Sequence, residues 1–156
     1  MPLDSSTEEI RAEAHRIAAR LKDLEGPMLP VLHAVQARFG HVPEAAVPAV
    51  AEALNVTRAE VHGVVSFYHD FRSEPAGRAV VRVCRSEACK SVGADRLLTD
   101  LEAALGVRAG ETAADGSVTL EPVYCLGLCA CAPAAQVDGR PVGRAEAARI
   151  AGEVRR

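Results

Sequence analysis

The sequence predicts an α+β protein, with an N-terminal helical bundle over residues 1–74 followed by an α/β domain over residues 75–156. Two observations lead to this division. Apolar residues recur at helical spacing to about residue 65, whereas short runs of β-branched residues begin at residue 79. Between these regions, Arg72–Gly77 contains proline and glycine, which interrupt regular structure.

Four helices are predicted in the first half. The first begins at an S-x-x-E capping box, Ser6 to Glu9, and Gly26-Pro27 ends it. A second capping box, Thr57 to Glu60, opens the fourth helix. Apolar spacing and the glycine or asparagine that follows define the two helices between them. The predicted helices cover about residues 6–24, 30–39, 44–54 and 57–65.

The second half predicts the order β-α-β-β-β-α. Ala79–Val83 is short and rich in valine, which favours a strand ending at Cys84. Asp138-Gly139 is a strong signal for a two-residue hairpin turn near the end of the chain. The predicted strands cover about residues 79–84, 118–125, 134–137 and 140–142, and the predicted helices about residues 89–105 and 145–154.

Composition excludes several classes of protein. The net charge of −3 gives no basic face of the kind that binds nucleic acid. No apolar run approaches the roughly 20 residues that a membrane span needs. The N-terminus is charged and lacks the apolar core of a signal peptide, so we expect a soluble cytoplasmic protein with no membrane insertion.

Two close pairs of cysteines are the most informative feature. Cys84 and Cys89 form a C-x4-C pair, and Cys125 and Cys129 form a C-x3-C pair 35 residues later. In a reducing compartment, paired cysteines indicate metal or redox chemistry rather than disulfides. Each pair follows the end of a predicted strand, so neighbouring parallel strands would bring all four thiolates to one edge of the sheet. Such a cage holds zinc or an iron–sulfur cluster.

The alternatives differ in how well they fit this spacing. Zinc stays open because the spacings are close to those of zinc knuckles, and a role as buried structural thiols is also open. A thiol–disulfide oxidoreductase would need C-x-x-C, which is absent. We expect Cys89, at a helix N-terminus, to be stabilised as a thiolate, and Cys131 to be a small buried residue outside the ligand set.

An aromatic segment, Phe67–Phe71, contains three of the five aromatic residues of the chain. Core packing where the two halves meet is one interpretation, and a partner interface, where aromatic residues are enriched, is the other. The five histidines are scattered and show no ligand spacing. No G-x-G-x-x-G follows a strand, so the chain has no candidate site for NAD.

Several segments together resemble the 24-kDa subunit family of respiratory complex I, in order from about residue 28 to the C-terminus. They are Gly40–Pro43, Val61–Tyr68, the cysteine pairs Cys84/Cys89 and Cys125–Cys129, and Ala132-Pro133. The resemblance implies a thioredoxin-like second domain with one [2Fe–2S] cluster, held by Cys84, Cys89, Cys125 and Cys129. It also implies a flavoprotein partner subunit that binds FMN and NAD, so the chain would transfer electrons without being a catalyst by itself.

Within this family, the short chain and Cys129–Pro133 look most like the γ subunit of soluble NAD-dependent, molybdenum-containing formate dehydrogenase. That likeness implies further iron–sulfur clusters and a molybdenum cofactor in partner subunits, including a molybdenum-containing catalytic subunit. The equivalent subunit of complex I or of an NAD-linked hydrogenase is the alternative within the family. A zinc-stabilised structural assembly module is the alternative from another class.

Overall fold

A computed structural model describes residues 6–155 and divides the chain into two compact units, Met1–Pro75 and Ala76–Arg156. The first unit contains only helices among its described residues, and the second contains a sheet with helices. This confirms the predicted α+β class. No helix within residues 6–155 is long and apolar enough to cross a membrane.

The first unit contains helices α1 to α4. Both predicted capping boxes are present: Ser6 and Glu9 cap the first helix, and Thr57 and Glu60 cap the fourth. The first helix ends at Leu21 rather than at the predicted Leu24, whose side chain is about half exposed. The bounds are α1 Thr7–Leu21, α2 Met28–Phe39, α3 Ala46–Leu54 and α4 Arg58–Phe67.

The helical unit has its own apolar core, in which small and branched side chains predominate. Valines and alanines from all four helices are buried in it, because small side chains allow helices to approach closely. Gln36 on α2 fastens the segment after α4 to this core: its amide donates to the carbonyl oxygen of Asp70 at 2.6 Å and accepts from the N–H of Arg72 at 2.7 Å.

The aromatic segment is partly buried and partly exposed. Phe71 is buried in the helical core, with its ring centroid 4.8 Å from that of His33. Phe67 and Tyr68 are exposed instead, at 73% and 42% of their surface. Phe71 therefore packs in the core of the helical unit, and core packing is wrong for Phe67.

The second unit is built on a five-stranded sheet in the order β2-β3-β1-β4-β5. β1 lies at the centre, parallel to β3 and antiparallel to β4, with Ala79 opposite Val118 and Cys84 opposite Val123. Gly77, just before β1, lies so close to the backbone of Val118 that a Cβ there would be 2.7 Å from it. The strands are β1 Ala79–Cys84, β2 Glu111–Thr112, β3 Val118–Val123, β4 Ala135–Val137 and β5 Arg140–Val142.

Helices cover the sheet, and one of them differs from its prediction. The single helix predicted over residues 89–105 is two helices, α5 Glu87–Lys90 and α6 Ala94–Leu105. Gly93 separates them with a φ of 97°, a left-handed conformation that an α-helix cannot contain. The last helix, α7 Ala147–Val154, packs with α6 around a core that includes Leu101, Leu120 and Ile150.

Candidate metal centre

The sheet brings the two cysteine pairs to one edge. Cys84 is the last residue of β1, and Cys125 lies two residues after the end of β3. Because β1 and β3 are parallel and in register from Ala79 to Cys84, their carboxyl ends emerge at the same edge. The parallel neighbours expected from the sequence are therefore confirmed.

The first pair, Cys84 and Cys89, is buried. The two side chains are only 2% and 1% exposed and form a small apolar cluster with Ala94 and Ala134. The N–H of Cys84 donates to the carbonyl oxygen of Ala134 at 2.9 Å, which fixes the end of β1 against the start of β4. The thiols of Cys84 and Cys89 are hydrogen-bonded to each other.

The second pair, Cys125 and Cys129, is exposed. Their Sγ atoms lie 3.9 Å apart. Cys125 has a φ of 79° and Gly127 one of 76°, so the turn between the two sulfurs twice adopts the left-handed conformation. That conformation is uncommon for a residue with a Cβ and is typical of functional sites where the surroundings maintain the strain. Cys129 then begins a short 3-10 turn, Cys129–Cys131.

Direct contacts link the two pairs. The backbone N–H groups of Leu126 and Cys125 donate to the sulfur of Cys84. Cys129 lies close enough to Cys84 and Cys89 for their charges to interact. All four predicted cysteines are therefore gathered at one place, as two pairs, one under the surface and one on it.

Backbone amides change the ionisation of Cys84. Burial raises its pKa, but hydrogen bonds from the amides of Ser86, Leu126 and Cys125 and from the thiol of Cys89 together outweigh burial and lower the pKa to about 7. Hydrogen bonds to the charged form of a thiol favour thiolate, which is the form that binds metal. The lowered pKa therefore makes thiolate available at Cys84 near neutral pH.

The predicted thiolate at Cys89 was wrong. Burial and the hydrogen bond with Cys84 raise the pKa of Cys89, and the amide of Ala134 opposes them only in part. Cys89 lies third in the four-residue helix α5, and its own N–H donates to the carbonyl oxygen of Ser86. The hydrogen bond and charge of Cys125 likewise raise the pKa of Cys129.

The four thiols match the donor set of a [2Fe–2S] cluster. No group of three or more His, Cys, Asp or Glu side chains within residues 6–155 could hold one metal ion as arranged. Two pairs of thiols supply the four cysteine thiolates that bind a [2Fe–2S] cluster, two on each iron. Amide hydrogen bonds at the sulfur of Cys84 are of the kind that tune such clusters.

Two residues near the site differ from expectation or were missed. Cys131, predicted to be buried, is exposed at the end of the 3-10 turn. Ala134 was not singled out, yet its N–H donates to the sulfur of Cys89 and its carbonyl oxygen accepts from the N–H of Cys84. Both contacts use the backbone, so no side chain marks them in the sequence.

A small sheet that gathers four cysteines at one edge defines a class of protein that binds a metal ion or an iron–sulfur cluster through thiolates. The chain belongs to the thioredoxin-like [2Fe–2S] ferredoxin family, whose model matches residues 14–155. This confirms the family and the thioredoxin-like fold predicted from the sequence. A member of this family binds one [2Fe–2S] cluster.

Named relatives agree with that family. The chain is 40% identical over 141 residues to a subunit of the NADH-quinone oxidoreductase of Rhizobium meliloti, covering 90% of this chain and 84% of the relative. It is 38% identical over 117 residues to the corresponding NADH-quinone oxidoreductase subunit of Pseudomonas aeruginosa, covering 75% of this chain and 70% of the relative.

A solved structure shows the same fold within a larger protein. The crystal structure of an NAD+-reducing [NiFe]-hydrogenase in the air-oxidised state superimposes with a TM-score of 0.70 and 30% sequence identity. The match covers 82% of this chain but only 22% of the hydrogenase chain. This chain is therefore similar to one part of that protein.

Proposed function

We propose that this chain is an electron-transfer subunit that binds one [2Fe–2S] cluster through Cys84, Cys89, Cys125 and Cys129. The observation that supports it most is the gathering of these two pairs at the carboxyl ends of β1 and β3. We also propose that residues 75–156 are the cluster domain and residues 1–74 a helical domain, which the two compact units support.

The bound cluster would store and transfer one electron at a time. Around it, the amides of Ser86, Leu126 and Cys125 stabilise negative charge at Cys84, and the apolar side chains around Cys89 exclude water. The exposed pair, together with Tyr124 at 74% exposure, leaves the other side of the site open to a partner.

The partner that we propose is a flavoprotein subunit that binds FMN and NAD. Relatives named NADH-quinone oxidoreductase and NAD+-reducing hydrogenase support it, since both names include a nicotinamide reaction. This chain has no G-x-G-x-x-G after a strand, which agrees with NAD being bound elsewhere. Five free cysteines support a reducing location such as the cytoplasm.

The particular complex that we propose is a soluble NAD-dependent formate dehydrogenase with a molybdenum-containing catalytic subunit. Its support is the likeness of Cys129–Pro133 to the γ subunit of that enzyme. A second candidate is the equivalent subunit of NADH:quinone oxidoreductase or of an NAD-linked hydrogenase, which the named relatives favour.

Anaerobic purification of the chain, followed by iron, sulfide and zinc analysis, tests the cluster. We expect two irons and two sulfides per chain, visible absorption and an EPR signal after reduction. A colourless protein that contains one zinc per chain would instead establish the zinc-stabilised assembly module.

Affinity purification of the tagged chain from its own cells tests the complex. Co-purification with a flavoprotein and a molybdenum subunit, and NAD+ reduction by formate in the purified complex, would support formate dehydrogenase. Co-purification with membrane subunits and NADH oxidation by quinone, or with a nickel-containing subunit, would replace that assignment by complex I or hydrogenase.

A further inference from the structure

Gly143, just after β5, lies against Cys131 in the 3-10 turn. A Cβ on Gly143 would be 2.7 Å from the Cβ of Cys131 and 3.2 Å from its carbonyl oxygen. Both atoms belong to or adjoin the backbone, so no rotation of a side chain would relieve the contact. Gly143 does not have a positive φ, so the lack of space, and not the backbone conformation, requires glycine here.

The residues after Gly143 fasten the same turn with hydrogen bonds. The N–H of Arg144 donates to the carbonyl oxygen of Cys131 at 2.6 Å, and the N–H of Ala145 donates to that of Pro133 at 2.8 Å. Residues 143–145 therefore run alongside residues 131–133 and support them. We call residues 143–145 the supporting segment.

The turn that this segment supports lies between residues of the two cysteine pairs and their contacts. Cys129 begins it, and Ala134 lies three residues after its last residue, Cys131. Ala134 accepts from the N–H of Cys84 at 2.9 Å and donates to the sulfur of Cys89. A displacement of residues 131–133 would therefore move the exposed pair relative to the buried pair.

We infer that Gly143 is a positioning residue for the cluster: the absence of its side chain lets the supporting segment hold Cys129 at the correct distance from Cys84 and Cys89. This inference rests on the proposed function, since it takes Cys129 as a cluster ligand. The atoms nearest to a Cβ on Gly143 all belong to Cys131, which is not among the four proposed ligands. Gly143 therefore acts on the cluster through Cys131.

The variant Gly143→Ala, purified anaerobically with its cluster, tests the inference. The added methyl group forces the turn away, so we expect altered EPR g-values and visible circular dichroism. We also expect iron loss to a chelator to be roughly tenfold faster, at the lower end of the effect of changes outside the ligand set. These spectra report the geometry of the cluster, which a general loss of stability would not change.

Gly152→Ala is the matched control. Gly152 lies within α7, has no atom within 4 Å of an added Cβ and does not have a positive φ. The same glycine-to-alanine change there should leave the EPR spectrum and the rate of iron loss as in the parent chain. If Gly143→Ala behaves like this control, the inference is overturned.

The double variant Cys131→Gly with Gly143→Ala tests whether Gly143 acts on the cluster through Cys131. It removes the Cβ that the new methyl group would meet, so we expect the EPR spectrum and the iron retention of the parent chain to return. If the double variant does not recover the EPR spectrum and iron retention of the parent chain, the inference is overturned. The same holds where Gly143→Ala alone does not fold, because the double variant is then the decisive measurement. Absence of a [2Fe–2S] cluster from the parent chain would instead overturn the proposed function, which separates the two failures.

Discussion

The two cysteine pairs of the candidate site lie close together but in very different surroundings. Cys84 and Cys89 are almost fully buried among alanine, valine and leucine side chains, whereas Cys125 and Cys129 are exposed. Backbone amides donate to the sulfur of Cys84 from three residues. The exposed pair instead has its sulfurs 3.9 Å apart, and the hydrogen bond of Cys125 raises the pKa of Cys129.

This difference indicates that the fold positions the two pairs with different rigidity. The fold alone fixes the buried pair, because the strand end, α5 and Ala134 hold both residues. The exposed pair faces solvent, so its side chains have more freedom to adjust when metal binds. We therefore expect the chain to tolerate changes at the exposed pair better than changes at the buried pair.

Cys84→Ser should have the largest effect. Serine offers an alkoxide that binds iron poorly, and the burial of Cys84 hinders solvent from replacing the lost ligand. We expect the iron content to fall close to zero, a greater loss than the roughly 10–100-fold in affinity that changes outside the ligand set cost. Iron analysis and the EPR signal of the reduced protein measure it. A variant that keeps the iron content and EPR signal of the parent would show that Cys84 is not a ligand.

Cys125→Ser is the matched change in the exposed pair and should have an intermediate effect. We expect weakened cluster binding, with a shifted visible spectrum and faster loss of iron, because solvent can reach the remaining ligand position. An unchanged visible spectrum would contradict the ligand assignment. A loss of iron greater than in Cys84→Ser would break the comparison between the pairs.

A pH titration of the cluster-free chain compares the ionisation of the individual thiols, and its expected effect is smaller than that of the ligand substitutions. One thiol should ionise with a pKa of about 7, because amide hydrogen bonds outweigh the burial of Cys84. The ultraviolet absorbance of thiolate should therefore rise through pH 7, while Cys89 and Cys129 ionise above the ordinary value of 9.0.

The sign of the accompanying stability change follows from the same shift. Because folding lowers the pKa of Cys84, its contribution to folding stability is lost as the pH falls through 7 and is complete above 9.0. Cys84→Ala should abolish the absorbance step near pH 7. If the step persists in that variant, another thiol carries it.

Cys131→Ala should have the smallest effect. Cys131 is exposed and shares the 3-10 turn with Cys129, but the two proposed pairs already supply four thiols. We expect iron content, visible spectrum and EPR signal to match those of the parent chain. Loss of iron in this variant would show that Cys131, and not Cys129, is the fourth ligand.

Much of the fold was predictable because local chemistry and periodicity agree with it. The capping boxes at Ser6 and Thr57, the valine-rich strand β1 and the Asp138-Gly139 turn all stand where the sequence placed them. The break at Gly93 was missed because one glycine does not interrupt a helical apolar pattern. β2 was missed because it has only two residues, both exposed, too few to alternate.

The position of the site was predictable, because it depends only on the topology of the strands. Parallel strands brought Cys84 and Cys125 to one edge, as the spacing indicated. The ionisation of Cys84 and Cys89 could not be predicted, because it depends on which amides point at which sulfur. The exposure of Cys131 depends in the same way on the 3-10 turn, whose geometry has no signal in the residue types.

The parallel pairing of β1 with β3 also determines when a cluster can first be held. Thirty-five residues lie between Cys89 and Cys125, and a ribosome adds them in about 2–7 s at roughly 5–20 residues per second. During that interval the emerging chain has two thiols without the two that face them, and residues 143–145 follow later still. With the four proposed ligands, we expect metal insertion only after Cys129 has been synthesised, and a nascent chain halted before Val118 should take up no iron.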